Sequence, residues 1–332
     1  MLLSSEGEFG LIRRIQSLLT TQNDRIIKGI GDDAAVLRPR SGYQILLTTD
    51  TMVEGIHFNL AYTPLQDLGW KLMAINLSDL AAMGGTPLCA LFSVGVREDW
   101  SVSKIEKLVH GIRKCSEVYK CPVVGGDTVR TPNDCTLTMT ILGEVKTGDT
   151  IFRSGAQADD YLCVTGPLGN ARTGLEVLKH GAQTRRYKQA ISRFLRPVPR
   201  ISEANQLIKR GGISAMIDIS DGLSSELRHL CQPSHVGCKI EAQQIPIAEE
   251  TRRWTEMQGI SPVLFVMESG EDYELLMALR PKQYEILCSS GGKNTIPLFK
   301  IGRICDTKTG LRLLDHEKET EIESRGWNHF GQ

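Results

Sequence analysis

The sequence has no excess of charge of either sign and no long apolar run. Its 39 lysine and arginine residues equal its 39 aspartate and glutamate residues in number, so no net positive field attracts nucleic acid or an anionic membrane. No stretch approaches the ~18 apolar residues of a membrane-spanning helix. The first residues, MLLSSEGEFG, include an early Glu and lack the basic and then apolar regions of a secretion signal. We therefore expect a cytosolic protein.

Paired cysteines are also absent. The chain has nine cysteines, an odd number, and no two of them are spaced as C-x-x-C. This distribution supports neither a zinc site nor a disulfide framework. We expect the cysteines to be small core residues of a protein in a reducing compartment.

Common nucleotide-binding motifs are missing as well. Residues 291–294 (GGKN) lack the first glycine and the final hydroxyl residue of a phosphate-binding loop. Residues 29–34 (GIGDDA) fit G-x-G-x-x-G/A, but Pro39 and Gly42 follow where a dinucleotide site needs a helix. The H-R-D and D-F-G motifs of protein kinases do not occur. A nucleotide, if one is bound, must be held in another way.

Segments of helical and strand character alternate along the chain. Apolar spacing and turn residues predict helices at 7–20, 64–83, 102–118, 170–180, 196–209 and 220–230. They predict strands at 44–49, 89–96, 122–125, 136–145, 161–165, 213–219, 274–279 and 296–304. The turn-rich residues 146–160 form a connector. The pattern predicts an α/β fold of the α+β type in two domains, 1–148 and 149–332.

The most informative feature is an Asp beside Gly, Thr or Ser that follows an apolar run. It occurs in GIGDDAAVL (29–37), LLTTDT (46–51), NLSDLAAMGG (76–85), VVGGDTVR (123–130) and MIDISDGLSSEL (216–227). Because strand ends and the turns after them share one edge of a sheet, we expect these segments to bring several carboxylates together. The carboxylates are Asp32 or Asp33, Asp50, Asp79, Asp127, Asp218 and Asp221.

So many carboxylates at one site need compensating charge, because like charges ~4–6 Å apart strongly shift each other's pKa. Oxygen ligands with threonine hydroxyls nearby, and without His or Cys, favour Mg²⁺ over Zn²⁺. Mg²⁺ usually completes its coordination with water and substrate phosphates. The neighbouring glycines allow backbone N–H groups to approach such phosphates. The pattern thus predicts several Mg²⁺ ions and a phosphate-bearing substrate.

Each of these residues also has a purely structural interpretation. A single Gly-Asp pair is more often a turn than a ligand. Ser220 and Asp221 suit the N-cap of the following helix, and Asp79 suits a solvated helix face. His57, between apolar neighbours, is typical of a half-buried histidine, and Trp327 of a packing anchor. These structural interpretations explain each segment singly, but they do not explain why five similar segments occur in one chain without net charge.

Nine motifs occur in order along nearly the whole chain: GIGDDAAVL, TTDTMVEGIHF, NLSDLAAMGG, VVGGDT, RSGA, VTGPLG, IDISDGLSSEL, GEDYELL and GWNHF. In this combination the sequence resembles the thiamine-monophosphate kinases, members of the aminoimidazole ribonucleotide synthetase-like ATP-binding superfamily. The resemblance implies an N-terminal α/β domain that binds ATP and metal ions, a C-terminal α/β domain, and a homodimer formed through the N-terminal sheets. The implied reaction is direct, metal-assisted transfer of phosphate from ATP to thiamine phosphate, which gives thiamine diphosphate.

The resemblance also implies a role for individual residues at the motif positions. The implied metal ligands are Asp33, Thr48, Thr49, Asp50, Asp79, Asp127, Asp218 and Asp221. The implied ATP contacts are Gly126, Arg153 and Ser220, and the implied thiamine phosphate contacts are His57, Glu271 and Trp327. We expect no catalytic general base, because an acceptor phosphate with a second pKa near 6 is largely ionised at pH 7.

Two positions depart from the pattern of the family, and two other functions stay open. Ser269 occupies the first position of what is usually a Gly-Gly pair, and Asp159 stands where Gly commonly follows the RSGA turn. The chain could be another ATP-using enzyme of the superfamily, although a selenide-activating enzyme should carry a reactive Cys in a Gly-rich N-terminal segment, and the first Cys is Cys89. It could also be a non-catalytic Mg-nucleotide-binding protein, which would bind Mg-ATP without turnover.

Overall fold

The computed structural model describes residues 8–19, 24–28, 30, 34–181, 184–289, 296–323 and 326. The chain divides into two units. The first comprises Met1–Leu80 and Gly85–Gly148, and the second comprises Ala81–Gly84 and Asp149–Gln332. Within the described ranges, no helix has both the length and the apolar character needed to cross a membrane.

The first unit is built around a four-stranded sheet. Its elements are α1 (Glu8–Leu19), β1 (Ile26–Lys28), β2 (Val36–Leu37), β3 (Tyr43–Val53), α2 (Leu65–Ala82), β4 (Thr86–Val96), α3 (Val102–Tyr119), β5 (Val123–Arg130) and β6 (Thr136–Lys146). The sheet order is β3-β6-β4-β5, antiparallel except for the parallel pair β4–β5. β1 and β2 form a separate antiparallel pair.

Helices cover one face of this sheet. The fully buried side chains on that face of β6 are those of Leu137, Met139 and Ile141. α2 and α3 cross closely where each has a glycine. A Cβ on Gly69 would lie 2.1 Å from the carbonyl oxygen of Leu108, and one on Gly111 would lie 1.9 Å from that of Gln66. Larger residues at either glycine would therefore push the two helices apart.

The second unit is built around a seven-stranded sheet. Its elements are β7 (Tyr161–Val164), α4 (Asn170–His180), α5 (Lys188–Leu195), α6 (Ile201–Arg210), β8 (Ile213–Asp218), α7 (Leu223–Ser234), β9 (Val236–Glu241), α8 (Glu249–Gln258), α9 (Pro262–Met267), β10 (Leu275–Leu279), α10 (Pro281–Ser289), β11 (Phe299–Asp306), β12 (Leu311–Asp315) and β13 (Lys318–Glu321). The sheet order is β13-β12-β9-β11-β7-β10-β8. All neighbours are antiparallel except β12 and β9.

The core of the second unit lies between this sheet and its helices. Every residue of β10 is buried. On α7, Leu223, Leu227 and Leu230 are fully buried, and their spacing of four and three residues places them on one helix face. Burying a leucine side chain contributes about 1.5–3 kcal/mol, so this face anchors α7 and the turn before it.

Two strands that carry predicted metal ligands are longer than the sequence pattern predicts. The pattern ends the first of these strands at Asp50 and the second, PVVG, at residue 125, but β3 continues to Val53 and β5 to Arg130. The prediction that Asp50 and Asp127 lie at strand ends is therefore wrong. β3 continues because it pairs with β6 along its whole length, and its threonines favour extended backbone.

Candidate active site

Thr48, Asp50 and Asp79 line the helix-covered side of the first sheet. Thr48 and Asp50 are half-buried and alternate with exposed residues, on the same face of β3 as the buried Leu46 and Met52. The Thr48 hydroxyl donates a hydrogen bond to Oδ2 of Asp79 on α2. Asp79 is half-buried between buried neighbours, so its interpretation as a solvated face residue is wrong. The structure thus brings Thr48 and Asp79 together.

Thr49 faces the other side of the same sheet. Its hydroxyl lies 2.9 Å from the hydroxyl of Thr140 on β6. The side chains of β3 on this side, which we call the open face, are Ile45, Leu47, Thr49 and Thr51, all exposed. The side chain of Thr49 is therefore separated by the sheet from those of Thr48 and Asp50.

Gly126 and Asp127 lie in β5, the strand at the opposite edge of the sheet. A Cβ on Gly126 would lie 1.7 Å from the carbonyl oxygen of Phe92, so a side chain does not fit there. Asp127 is exposed, and its Oδ1 accepts the N–H of Thr128 at 2.8 Å. Because β6 and β4 separate β3 from β5, Asp127 lies three strand spacings, about 14 Å, from Asp50. Within one chain the structure does not bring these two carboxylates together.

His57 lies in the turn that follows β3. The N–H of Val53 donates to Nδ1 of His57 at 3.0 Å, and the N–H of His57 donates to the carbonyl oxygen of Val53 at 2.9 Å. Because Nδ1 accepts a hydrogen bond, the neutral ring carries its proton on Nε2. The half-buried ring is thus held in one tautomer, with Nε2–H as its donor.

Three motifs of the second unit meet at one edge of its sheet. β7, β10 and β8 are adjacent and antiparallel, so the ends of β7 and β8 lie beside the start of β10. The segments at this edge, which we call the motif edge, are 165–169, 219–222 and 270–274. Backbone hydrogen bonds join two of them: the N–H of Ile219 donates to Glu274 at 2.8 Å, and that of Tyr273 donates to Ile219 at 2.9 Å.

Glu226 holds the loop that carries Ser220 and Asp221. Its Oε1 accepts the N–H of Asp221 at 2.8 Å and the Ser220 hydroxyl at 3.5 Å. Burial raises the pKa of Glu226 to about 7, although the hydrogen bond from Asp221 opposes this shift. Asp218, which is 5% exposed, ends β8 just before the loop. The N-cap residue of α7 is Gly222, so the interpretation of Ser220 and Asp221 as the N-cap is wrong.

Asp272 connects the motif edge to the start of α4. Its Oδ2 accepts the N–H of Gly169 at 2.6 Å, and its Oδ1 accepts the N–H of Ala171 at 3.3 Å. Burial raises the pKa of Asp272 to about 7, opposed by these two hydrogen bonds. The carboxylate therefore acts as an acceptor for backbone groups.

Glu274 forms a buried ion pair. It is 4% exposed and pairs with the Arg200 guanidinium through both carboxylate oxygens. The Thr165 hydroxyl donates a further hydrogen bond to it at 2.7 Å. With its oxygens occupied by two partners, Glu274 supports the fold of the motif edge.

Glu271 and Arg153 lie beside the Ser220 loop. The N–H of Glu271 donates to the carbonyl oxygen of Ser220 at 2.7 Å. Arg153 is exposed, and its charge is near enough to Glu226 to lower the pKa of that carboxyl. The structure therefore groups the five described site residues of the second unit around one loop: Arg153, Asp218, Ser220, Asp221 and Glu271.

Two of the predicted site residues, Asp33 and Trp327, lie outside the described residues. Gly326, the residue before Trp327, is described. A Cβ on Gly326 would lie 2.7 Å from Cβ of Ser225 and 2.9 Å from the carbonyl oxygen of Asp221. The chain at Gly326 therefore passes close to the loop that carries Asp221.

The two departures from the family pattern are accommodated by local contacts. Ser269 is fully buried, and its hydroxyl donates to the carbonyl oxygen of Phe265 at 2.7 Å. Asp159 has a φ of 74°, a left-handed conformation that glycine adopts freely and aspartate tolerates. Its N–H donates to Ile304 at 3.1 Å. Neither residue removes a predicted ligand.

The sequence analysis missed three residues that shape the motif edge: Glu226, Asp272 and Arg200. Glu226 lies in the first turn of α7, where an acid is favoured by the helix dipole, so this position carried a signal. Asp272 and Arg200 contact residues 103 and 74 positions away in the sequence. No local pattern predicts such contacts.

Family models match both parts of the chain. The AIR synthase related protein, N-terminal domain, matches residues 31–145, and the corresponding C-terminal domain matches residues 157–313. The thiamine-monophosphate kinase of Aquifex aeolicus (strain VF5) is 35% identical over 332 residues, which cover 99% of this chain and 100% of the relative.

Solved structures give the same result. The thiamine-monophosphate kinase from Stenotrophomonas maltophilia K279a matches with a TM-score of 0.82 and 33% identity, over 96% of this chain and 98% of that one. The structure described as AaThiL complexed with AMPPCP and TMP matches with a TM-score of 0.77 and 33% identity, over 99% of both chains. The predicted family and fold class are confirmed: this chain belongs to the thiamine-monophosphate kinase family.

Proposed function

We infer that this chain transfers a phosphoryl group from ATP to thiamine monophosphate and so forms thiamine diphosphate and ADP. The full-length similarity to thiamine-monophosphate kinases carries this inference. One similar structure is a complex with AMPPCP, an analogue of ATP, and TMP. The grouping of the VTGPLG, IDISDG and GEDYELL motifs at one sheet edge is consistent with a shared role for them.

The proposed donor set for Mg²⁺ consists of oxygen atoms alone. The proposed ligands are Asp33, Thr48, Thr49, Asp50, Asp79, Asp127, Asp218 and Asp221. Among the described residues, no three His, Cys, Asp or Glu side chains lie close enough to hold an ion by themselves. A donor set made only of oxygen atoms fits Mg²⁺, which keeps several waters and takes further ligands from substrate phosphates. The distance of about 14 Å between Asp50 and Asp127, which lie on strands three spacings apart, calls for more than one ion.

Gly126, Arg153 and Ser220 contact ATP in this proposal. Gly126 is exposed, and a glycine has no side chain that would keep a phosphate away from its backbone. Arg153 offers an exposed guanidinium, a group that pairs well with phosphate oxygens. Ser220 holds its hydroxyl at 3.5 Å from Glu226, a long contact that leaves the hydroxyl able to donate to a phosphate instead.

His57, Glu271 and Trp327 hold thiamine monophosphate. The tautomer of His57 supports its part, because Nδ1 accepts the N–H of Val53, so the neutral ring presents Nε2–H as its donor. Glu271 supplies a carboxylate at the motif edge, next to the Ser220 loop. An acid there suits a ligand that carries a cationic ring.

The chemistry requires charge compensation and alignment more than proton transfer. The acceptor oxygen belongs to a phosphate whose second pKa is near 6, so it is largely ionised at pH 7 and needs no general base. When bound, Mg²⁺ reduces the repulsion between the two phosphate groups and holds them in line. The residues of this chain then bind and orient both substrates for direct transfer.

A homodimer formed through the open face completes the proposal. Ile45 and Leu47 on this face are 52% and 68% exposed, and contiguous exposed apolar side chains mark association surfaces. Leu47→Glu should convert a dimer to a monomer in sedimentation analysis. Met257→Glu, at a 50% exposed apolar residue of the second unit, is the matched control and should leave the dimer intact.

We place the reaction in the cytosol. All nine cysteines are free thiols, and seven of them are buried, as suits a reducing compartment. ATP, the proposed co-substrate, is consistent with the same location.

The decisive experiment is a product assay with ATP, Mg²⁺ and either thiamine monophosphate or thiamine. Thiamine monophosphate should yield thiamine diphosphate. Thiamine should not react, because its hydroxyl would need a general base to remove its proton. Thiamine also has no phosphate oxygens that could bind the same metal ion as ATP. Equal rates with the two acceptors would contradict the proposed reaction. Tight Mg-ATP binding without any product would instead support a non-catalytic nucleotide-binding protein.

A further inference from the structure

Asp272 lies between two residues with unusual backbone conformations. Glu271 has a φ of 64° and Tyr273 a φ of 50°, a left-handed region that residues with such side chains seldom adopt. These conformations persist where surrounding contacts hold them, and they cluster at functional sites. Two contacts here are backbone hydrogen bonds, from Glu271 to Ser220 at 2.7 Å and from Tyr273 to Ile219 at 2.9 Å.

The Asp272 side chain adds a contact to a third segment, the start of α4. It accepts the N–H of Gly169 at 2.6 Å and that of Ala171 at 3.3 Å. N–H groups in the first turn of a helix have no acceptor within the helix. A carboxylate is also favoured there by the helix dipole. Asp272 thus connects segment 270–274 to the start of α4 through these hydrogen bonds.

Gly169 has no room to supply this cap itself. It is the N-cap residue of α4, with a φ of 90°. A Cβ on Gly169 would lie 2.7 Å from a side-chain carbon of Thr251 and 2.8 Å from one of Val266. Serine or aspartate, the usual N-cap residues, would therefore not fit. The acceptor must come from another segment, and Asp272 provides it.

We propose that Asp272 is a positioning residue for thiamine monophosphate, which sets the place of Glu271 by fixing segment 270–274 to the start of α4. This proposal rests on the proposed function, in which Glu271 binds the vitamin. In its ionised form a carboxylate suits the task, because it offers two acceptor oxygens and no donor. Asparagine would turn its own N–H₂ group toward one of the two backbone N–H groups.

The test compares Asp272→Asn with Asp160→Asn. Asp160 is a matched control, because it is 3% exposed and accepts the backbone N–H of Gln157 at 3.0 Å, yet it precedes β7 at the end of the strand away from the motif edge. For each protein we would measure kcat, both KM values, the melting temperature, and calorimetric binding of thiamine monophosphate and of AMPPCP. Asp272→Asn should lower kcat/KM for thiamine monophosphate about 10- to 100-fold and weaken its binding, with a smaller change for AMPPCP.

The outcomes separate this inference from the proposed function. Wild-type protein that neither binds nor phosphorylates thiamine monophosphate would overturn the proposed function and this inference with it. An active wild type with Asp272→Asn indistinguishable from Asp160→Asn in vitamin binding would overturn the inference alone. If Asp272→Asn does not fold, Asp272→Ser, whose hydroxyl accepts one N–H, replaces it in the same comparison. Equal loss of vitamin and AMPPCP binding would also overturn it, since that result indicates general disruption.

Discussion

Two acids of the first unit, Asp79 and Asp127, differ in burial and in their partners from two acids of the second, Glu226 and Glu274. In the first unit, Asp127 is exposed and Asp79 half-buried, and their partners are a neighbouring N–H and a hydroxyl. In the second unit, Glu226 and Glu274 are 2% and 4% exposed and are held by backbone N–H groups or a guanidinium. An exposed acid exchanges water for a metal ion at little cost, whereas a buried acid needs its partners in order to remain buried. Asp79 and Asp127 therefore suit ligand binding, whereas Glu226 and Glu274 support the loops of the motif edge.

The largest effect should come from an exposed acid of the first unit. Asp127→Asn keeps the size of the side chain and its turn preference but removes a proposed Mg²⁺ ligand. We expect kcat to fall roughly 10²–10⁴-fold, while the melting temperature without ligands changes little. The measurement is kcat across a Mg²⁺ titration. Asp134→Asn, at another exposed acid of this unit, is the control, and comparable turnover by both variants would remove Asp127 from the site.

Substitution of a buried acid of the second unit should instead lower the stability of the protein. Glu274→Gln leaves the Arg200 guanidinium without its main partner, and breaking a buried pair costs about 3 kcal/mol. Urea unfolding would measure this loss. Glu249→Gln is the control, because the ion pair of Glu249 with Arg253 is largely exposed and such pairs contribute about 0–1 kcal/mol. Equal stability of the two variants would show that burial does not determine how much an acid contributes to stability.

The pH dependence of stability should reveal Asp272. Burial raises its pKa from 3.8 to about 7 in the folded protein; hydrogen bonds from Gly169 and Ala171 oppose this shift, and the charges of Glu274 and Glu271 add to it. Between these two pKa values the folded state binds a proton that the unfolded state has lost. The free energy of unfolding should therefore fall as pH rises through this window and level off above it.

Asp272→Asn should remove the part of the pH dependence of unfolding free energy that is due to Asp272. The measurement is the difference in unfolding free energy between wild type and Asp272→Asn at about pH 5 and about pH 8. The wild type should be relatively more stable at the lower pH. A difference that stays the same at both pH values would show that Asp272 is ionised throughout.

The smallest effect should come from an exposed acid of the second unit. Asp159 has a φ of 74° and a loose ion pair with Arg303 at 3.5 Å. Asp159→Gly relieves the left-handed conformation but increases the freedom of the unfolded chain. We expect unfolding free energy to change by about 0.5 kcal/mol or less. A loss as large as that of Glu274→Gln would show that burial is not what separates the two classes of acid.

Local patterns predict elements whose signals lie within their own sequence. The prediction of a helix at 170–180 agrees with α4, and that of a strand at 136–145 agrees with β6 to within one residue. The sequence analysis did not predict β9, β12 and β13, which pair with each other or with β11. These short segments become strands because they pair with distant segments, and the sequence of one segment does not show which partner it will have.

The sequence by itself determined the family, the kind of reaction and the set of candidate ligands, because these follow from residue types in local motifs. Only the tertiary structure decided which face of β3 carries Asp50, how far Asp127 lies from it, and that Asp272 caps a helix 103 residues away. The physical reason is that strand register and helix capping depend on contacts between segments far apart in the chain. A shift of one residue in register would move every side chain of β3 to the other face of the sheet.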